Sequence, residues 1–266
     1  MTRRLCLITG ASSGSGAAFA RIYASHGYDV ALTARRADRL ETLAADIRAR
    51  TGVETLTIAA DLGEPGAVDR ILAEIAAHGR TVDALVNNAG YGLPGSYGAT
   101  TWNEQAAFMN VLVGAVCEMS HKVLPGMVEQ RFGRIVNVAS LAGFLPGTPK
   151  STLYAAAKSF LIRFSESLHL ENLSTGVHVS ALCPGLTYSE FHDVNASRAR
   201  ISEATPTWMW MGADEVAATG YEAAEANRPV CVTGAANKVV AALAKILPDE
   251  WVMALMTTRY GRLRGL

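Results

Sequence analysis

Leu5-Cys6-Leu7-Ile8-Thr9-Gly10-Ala11-Ser12-Ser13-Gly14-Ser15-Gly16 opens the chain as an apolar run that breaks into glycines. Leu5 to Thr9 reads as a buried strand, and Ser15 to His26 as a helix. Glycines between the two permit a tight turn and a close backbone approach. The helix points its unpaired N–H groups and the positive end of its dipole back at that turn. A bare glycine cluster can be no more than a flexible turn. Its place between a first strand and a first helix favours a cradle for a pyrophosphate, although the spacing is G-x-x-x-G-x-G rather than G-x-G-x-x-G.

The same rhythm continues outward. Tyr28 to Thr33, Val53 to Ala59, Val82 to Val86, Arg134 to Ala139, Val177 to Leu182 and Val230 to Thr233 read as further strands. Helical patterns cover Arg36 to Arg50, Glu64 to His78, Thr101 to Val123 (stopping before Pro125), Ser151 to Leu173 and Ala213 to Ala226. Near-continuous apolar strands alternating with helices predict an α/β fold. About seven parallel strands form one doubly wound sheet with helices on both faces. The ligand then lies beyond the carboxyl ends of the strands. No linker or repeat divides residues 1–266, so a single domain is expected. Two stretches break the rhythm: 185–211, a substrate-loop region, and 235–266, a C-terminal extension.

The chain has 24 basic and 24 acidic residues, with half its residues hydrophobic. This balance supports a large core and gives no electrostatic case for nucleic acid as a partner. No uninterrupted apolar stretch reaches membrane-spanning length, and the start lacks a signal-peptide pattern, so a cytoplasmic protein is expected. Cys6, Cys117, Cys183 and Cys231 are scattered without metal-ligand spacing, and are expected as free thiols. No metal site is expected.

The end of the second strand carries Arg35 and Arg36, where an acid would bind the ribose hydroxyls of NAD. Guanidiniums there suit the 2′-phosphate of NADP, so NADP(H) is expected in preference to NAD(H). The alternative is a solvated first turn of the next helix. Asp61 and Leu62 follow the third strand, where Asp61 is placed either to contact the adenine region or to cap the next helix.

Tyr154 and Lys158 lie four apart on a predicted helix, hence on one face. A phenol ionises near pH 10, too high for a base at neutral pH. A neighbouring ammonium stabilises the phenolate and lowers that value. Tyr-x-x-x-Lys alone is common. Here it follows, in order, the glycine turn, Asn87-Asn88-Ala89-Gly90 after the fourth strand, and Ser140 after the fifth. Cys183-Pro184-Gly185 follows the sixth strand.

With these motifs the chain resembles the short-chain dehydrogenases/reductases over about residues 4 to 233. That resemblance implies a Rossmann fold and an oxidoreductase moving a hydride between a nicotinamide and a carbonyl or secondary alcohol. It implies roles for Tyr154 as acid/base, Lys158 as ribose ligand and modulator of the phenol, and Ser140 as carbonyl-oxygen partner. Asn110 would position a relay water through its helix. The dinucleotide would be held by Gly10, Ser12, Ser13, Gly14, Ser15, Gly16, Arg35, Arg36, Asp61, Leu62, Asn88, Ala89 and Gly90. Tyr154, Lys158, Pro184, Gly185 and Thr187 would contact its nicotinamide half. Ser15 stands where the family usually has isoleucine, and Pro184 to Ser189 does not match the usual threonine register.

Candidate substrate walls are Ser140, Leu141, Leu145, Leu186, Tyr188, Phe191 and Trp208, with Tyr91 and Leu93. They are largely uncharged, which favours an uncharged or apolar carbonyl or alcohol. Trp208-Met209-Trp210 could be a lid, a partner surface or a packed lead-in to a helix. The tail could pack on the core or another subunit, or touch a membrane. The family suggests a homodimer or homotetramer through the helices at 101–123 and 151–173. The rival reading is a non-enzymatic NADP(H)-binding regulator on the same fold, which would need no proton donor.

Overall fold

The computed structural model describes residues 3–93, 95–147, 149, 152–188 and 207–254. Seven parallel strands form one sheet. They are β1 (Leu5–Thr9), β2 (Asp29–Ala34), β3 (Thr55–Ala59), β4 (Ala84–Asn87), β5 (Gly133–Val138), β6 (Val177–Cys183) and β9 (Val230–Val232). Their order is β3-β2-β1-β4-β5-β6-β9. The winding reverses between β1 and β4, and the loops leaving those two strands open the crevice where ligands bind in such sheets.

Helices α1 (Gly14–Ser25), α2 (Ala37–Thr51) and α7 (Ala213–Glu225) cover one face. On the other lie α3 (Ala67–Ala77), α4 (Trp102–Met109), α5 (Ala115–Glu129) and α6 (Thr152–Glu171). A last helix, α8 (Ala235–Ile246), follows β9. Leu7, Ile8, Leu32, Leu85 and Val136 are fully buried, which is why the strands read as unbroken apolar runs. Asn87, Asn137, Ser120 and Ser165 form a buried chain of hydrogen bonds joining β4 and β5 to α5 and α6. Each bond is satisfied, so polar groups can sit in this core.

Three sequence expectations change here. The helix expected to stop before Pro125 runs on to Glu129. Pro125 is exposed, so water can serve the carbonyl it frees, while buried Val123 and Met127 hold the helix to the sheet. That helix also contains a π-helical segment, Asn110–Gly114, between α4 and α5. Two short strands, β7 (Leu186–Thr187) and β8 (Trp210–Met211), pair outside the main sheet, where only a loop was expected.

Among the described residues, one helical run, Trp102–Glu129, is long and apolar enough by composition to cross a membrane. The run is not an uninterrupted apolar stretch, since Asn103, Glu104, Asn110, Glu118 and Lys122 break it. Its Phe108, Leu112, Met119 and Met127 are buried in the core. Cys6, Cys183 and Cys231 are buried free thiols, and Cys117 is partly buried.

Candidate active site

The glycine turn packs against the end of β4. Gly10 has φ +66°, and a Cβ there would fall 2.8 Å from Ala89 Cα. A Cβ on Gly16 would meet the Gly10 carbonyl oxygen at 2.2 Å. These two glycines therefore let protein pack on protein. Asn88 braces the same turn: its Nδ2 donates to Thr9 O at 2.9 Å and Gly10 O at 3.3 Å. The N–H groups of Asn88 and Ala89 both donate to Thr9 Oγ1. Gly90 is exposed beside this brace.

Ser13 sits at the N-cap of α1, but its side chain does not cap the helix. Its hydroxyl accepts instead from Arg36 Nη2 at 3.0 Å, and Ser12 Oγ accepts from the same nitrogen at 2.9 Å. The first-turn N–H groups from Gly14 to Gly16 thus have no hydroxyl laid over them, and a guanidinium stands at their mouth. These residues fit a phosphorylated dinucleotide: an uncapped helix start for a pyrophosphate and a cation for a further phosphate. Arg35 turns elsewhere, 3.9 Å from Asp61 in an exposed pair. Asp61 is not the cap of α3, whose N-cap is Gly66. Its Oδ1 accepts from Gly63 N–H at 2.8 Å, closing a small turn, and Leu62 is buried beside it.

Tyr154 and Lys158 lie on the first turns of α6, as their spacing requires, and the Lys158 ammonium is 5.7 Å from the centre of the Tyr154 ring. Lys158 is buried and donates to Val138 O at 2.6 Å. Ser140 leads out of β5, and its Oγ accepts from Ala142 N–H at 3.1 Å. A hydrogen bond from the Ser140 hydroxyl reaches the phenol. Tyrosine, serine and lysine thus meet at the carboxyl edge of the sheet.

The electrostatics differ from the sequence expectation. Burial pushes the Tyr154 phenol above its ordinary range, and the Ser140 hydrogen bond pulls the other way. The lysine does not lower it here. Burial brings Lys158 itself down to about 8. Cys183 is close enough to influence Lys158, but burial drives that thiol up to about 12, so no thiolate is available there.

Asn110 begins the π segment, and its Nδ2 donates to Leu62 O at 2.9 Å, tying the helix to the loop after β3. A Cβ on Gly114 would stand 2.6 Å from Asn110 Oδ1, so only glycine leaves room for that carboxamide. Leu141 N–H donates to Pro184 O at 2.8 Å, which links the Ser140 loop to the Pro184-Gly185 turn. Thr187 is buried, and its hydroxyl donates to Gly185 O at 3.3 Å.

A small open cleft, with about 30 Å³ of water-accessible volume, lies against Tyr154. Leu93, Tyr97, Phe108 and Leu153 give its apolar walls, and Ser96, Thr100 and Gln105 its polar ones. Of the expected walls among the described residues, only Leu93 lines it. Leu141 opens the short 3-10 turn Leu141–Phe144, Leu145 follows it, and Leu186 lies in β7. Tyr188 stacks on Trp210, with ring centres 5.0 Å apart. Trp208 is 69% exposed, while Trp210 is buried, so the tryptophan pair is part surface and part packing. Phe191 lies outside the described residues, as do Ser189 and Glu190.

Sequence reasoning missed three supporting residues. A Cβ on Gly143 would stand 2.8 Å from the Lys158 backbone carbonyl, so Gly143 lets the Ser140 loop lie on α6. Gly114 holds Asn110 in the same way. Asn237 of α8 is buried, donates to Thr233 O at 2.9 Å, and stands where a Cβ on Gly185 would be. Only the isolated glycines signal these contacts, and their partners are distant in sequence. Gly143→Ala is expected to displace Ser140 from Tyr154 and lower turnover about tenfold or more, since small misplacements in a catalytic constellation are costly. Steady-state kinetics beside a dinucleotide titration will show the turnover loss with nearly unchanged cofactor affinity.

Residues 4–199 match the family described as short chain dehydrogenase. The chain is 39% identical over 183 residues to a very-long-chain 3-oxoacyl-CoA reductase of Anas platyrhynchos, covering 67% of this chain and 58% of that protein. It therefore spans less than two thirds of that relative's length. It is 37% identical to a sulfoacetaldehyde reductase of Chromohalobacter salexigens, over 69% of this chain and 72% of that one. A short-chain dehydrogenase from Sphingobium yanoikuyae in complex with NADPH superposes with a TM-score of 0.78 at 29% identity, covering 99% of this chain and 96% of that one. A relative from Burkholderia phymatum in complex with NAD gives a TM-score of 0.79 at 27% identity, over 91% and 92% of the two chains.

Proposed function

The chain belongs to the short-chain dehydrogenase family, and from that premise we propose that it is an NADP(H)-dependent reductase of uncharged, apolar ketones or aldehydes, working reversibly on the corresponding alcohols. The meeting of Tyr154, Ser140 and Lys158 beside an open cleft carries this reading. When bound, the nicotinamide supplies or takes up the hydride. Tyr154 gives the proton to the carbonyl oxygen in reduction and removes it in oxidation. Ser140, tied to the phenol, holds that oxygen and stabilises the charge that develops on it. Lys158 holds the ribose and keeps positive charge beside the phenol. Asn110 keeps the π segment against Leu62 and supports proton supply to the site.

Arg36 at the glycine turn supports NADP over NAD, because a guanidinium pairs with a phosphate and has no acid's capacity to accept from ribose hydroxyls. Among the described residues no charged side chain lines the cleft. A sulfonate such as sulfoacetaldehyde, named for the Chromohalobacter salexigens relative, would lack a counter-ion there, whereas an apolar acyl or alkyl ketone would be accepted. Exposed Trp102 on α4, Phe160 and Leu170 on α6, and Leu173 just past its end support a homo-oligomer through those helices.

Initial rates with a panel of apolar ketones and sulfoacetaldehyde, each with NADPH and NADH, test the proposal. Apolar ketones with NADPH are expected to turn over fastest. A preference for sulfoacetaldehyde, or for NADH, would reject the substrate or cofactor assignment respectively.

A pH dependence follows from Lys158. The ammonium is the working form, and it is lost as pH rises through about 8. Reduction by the wild type is expected to decline above that pH, and Lys158→Met is expected to lack this limb in addition to being slow. Folding also lowers this amine from 10.5, so between about 8 and 10.5 the unfolded chain keeps a proton that the native one has released. Raising pH through that window therefore relieves a cost to the native state.

A further inference from the structure

Gln105 is a buried side chain whose hydrogen bonds leave one acceptor over. It is 6% exposed and lines the cleft that reaches Tyr154. Its Nε2 donates to Tyr97 O at 3.5 Å and to Thr100 Oγ1. The partners settle which end of the carboxamide is which. A carbonyl oxygen only accepts, and the Thr100 hydroxyl gives its single proton to the same Tyr97 O at 3.3 Å. Both partners therefore need a donor from Gln105, which turns the amide nitrogen toward them and Oε1 away. Among the described residues nothing donates to Oε1, and this atom is not sealed in the core. It opens into the cleft.

The acceptor is also held in place. Gln105 N–H donates to Thr101 O at 3.1 Å in the first turn of α4. Thr101 and Glu104 cap that turn reciprocally: Glu104 N–H donates to Thr101 Oγ1 at 3.3 Å, and Thr101 N–H donates to the Glu104 carboxylate at 2.7 Å. A buried acceptor left without a donor carries a penalty that a ligand's donor removes. The cleft's 30 Å³ has room for one or two groups the size of a water. A substrate with its carbonyl at Tyr154 thus has space here for one small donor close to that carbonyl. Its apolar remainder extends through the open side.

We propose that Gln105 selects carbonyl substrates carrying a hydroxyl one or two carbons from the reacting carbonyl. The hydroxyl donates to Gln105 Oε1. The Ser96 and Thr152 hydroxyls line the same cleft and can donate back to its oxygen, a bond that an amide N–H could not accept. A ketone without the hydroxyl leaves the acceptor unpaired and is disfavoured, as in sites built to bind a substrate hydroxyl. This selectivity narrows the uncharged, largely apolar substrate class given above, and it rests on Tyr154 being the proton donor at this cleft.

The test is kcat/KM of the full chain with NADPH for 2-octanone, 1-hydroxy-2-octanone and 4-hydroxy-2-octanone. The wild type is expected to prefer one of the hydroxyketones to 2-octanone about tenfold or more, the worth of a hydrogen bond to a buried acceptor. Gln105→Met keeps the length of the side chain and removes the acceptor, and is expected to bring that ratio down about tenfold while 2-octanone is reduced as well as before or better. Comparing ratios between enzymes cancels the intrinsic reactivity of each ketone and any loss of folded protein. Thr100→Val releases the amide without touching Oε1, and is expected to lower the same ratio; it decides the matter if Gln105→Met does not fold. A wild-type ratio near one overturns the proposal, as does a ratio that Gln105→Met leaves unchanged. In both cases reduction of 2-octanone leaves the assignment of Tyr154 standing, whereas a wild type that reduces none of the three ketones overturns that assignment and the selectivity with it.

Discussion

Tyr154→Phe is expected to reduce ketone turnover roughly a hundred- to ten-thousand-fold, the range that a positioned general acid supplies. The substitution removes one oxygen and leaves the ring, so packing at the start of α6 and affinity for NADPH should stay close to the wild type. That oxygen is also the partner of Ser140. Its loss leaves the Ser140 hydroxyl with Ala142 N–H but without the phenol. Stopped-flow measurement of NADPH oxidation, with fluorescence titration of NADPH on the same variant, separates the two effects. A non-enzymatic binding protein would show no turnover in the wild type either, and a variant with full activity would move the proton-donor role to another group.

The second large effect belongs to Arg36. Arg36→Leu should raise the KM for NADPH about ten- to a hundred-fold, the value of hydrogen bonds to a charged group. The KM for NADH should change little. The structure places emphasis on Arg36, because it alone of the arginine pair reaches Ser12 and Ser13, whereas Arg35 faces Asp61 in an exposed pair of small worth. NADH serves as an internal control for damage to the turn itself: losing both cofactors equally would mean that Arg36 only braces the serines. Competition between NADP and NAD in product inhibition gives the same comparison independently.

The sheet was legible because its strands are buried on both faces. Runs such as Leu5 to Thr9 and Val177 to Leu182 carry that burial in their composition, and all seven expected strands are present. Tyr154, Lys158, Ser140 and the glycine turn were legible because several short motifs follow one another in the order of a known family, each at a strand end or on one helix face, independently of distant contacts. What escaped depends on pairs far apart in the chain. The continuation through Pro125 is tertiary packing overriding a local breaker. The π segment at Asn110 leaves no periodic mark in only five residues. The cleft wall from Gly95 to Thr100 is polar and irregular, and Phe108 reads as an ordinary core residue. Asn237 becomes visible only when β9 brings α8 behind Gly185. The phenol's electrostatics escaped for another reason: spacing shows that an ammonium is near, but not that burial weighs more than its charge.

That balance is the centre of the account, since a buried phenol above its ordinary range must be brought down for the oxidative direction. Ultraviolet difference titration of the Tyr154 phenolate, wild type minus Tyr154→Phe, measures it directly. Ionisation is predicted to move to lower pH when NADP is added, and by less in Lys158→Met. The same ionisation pH with and without NADP, unaffected by Lys158→Met, would contradict it.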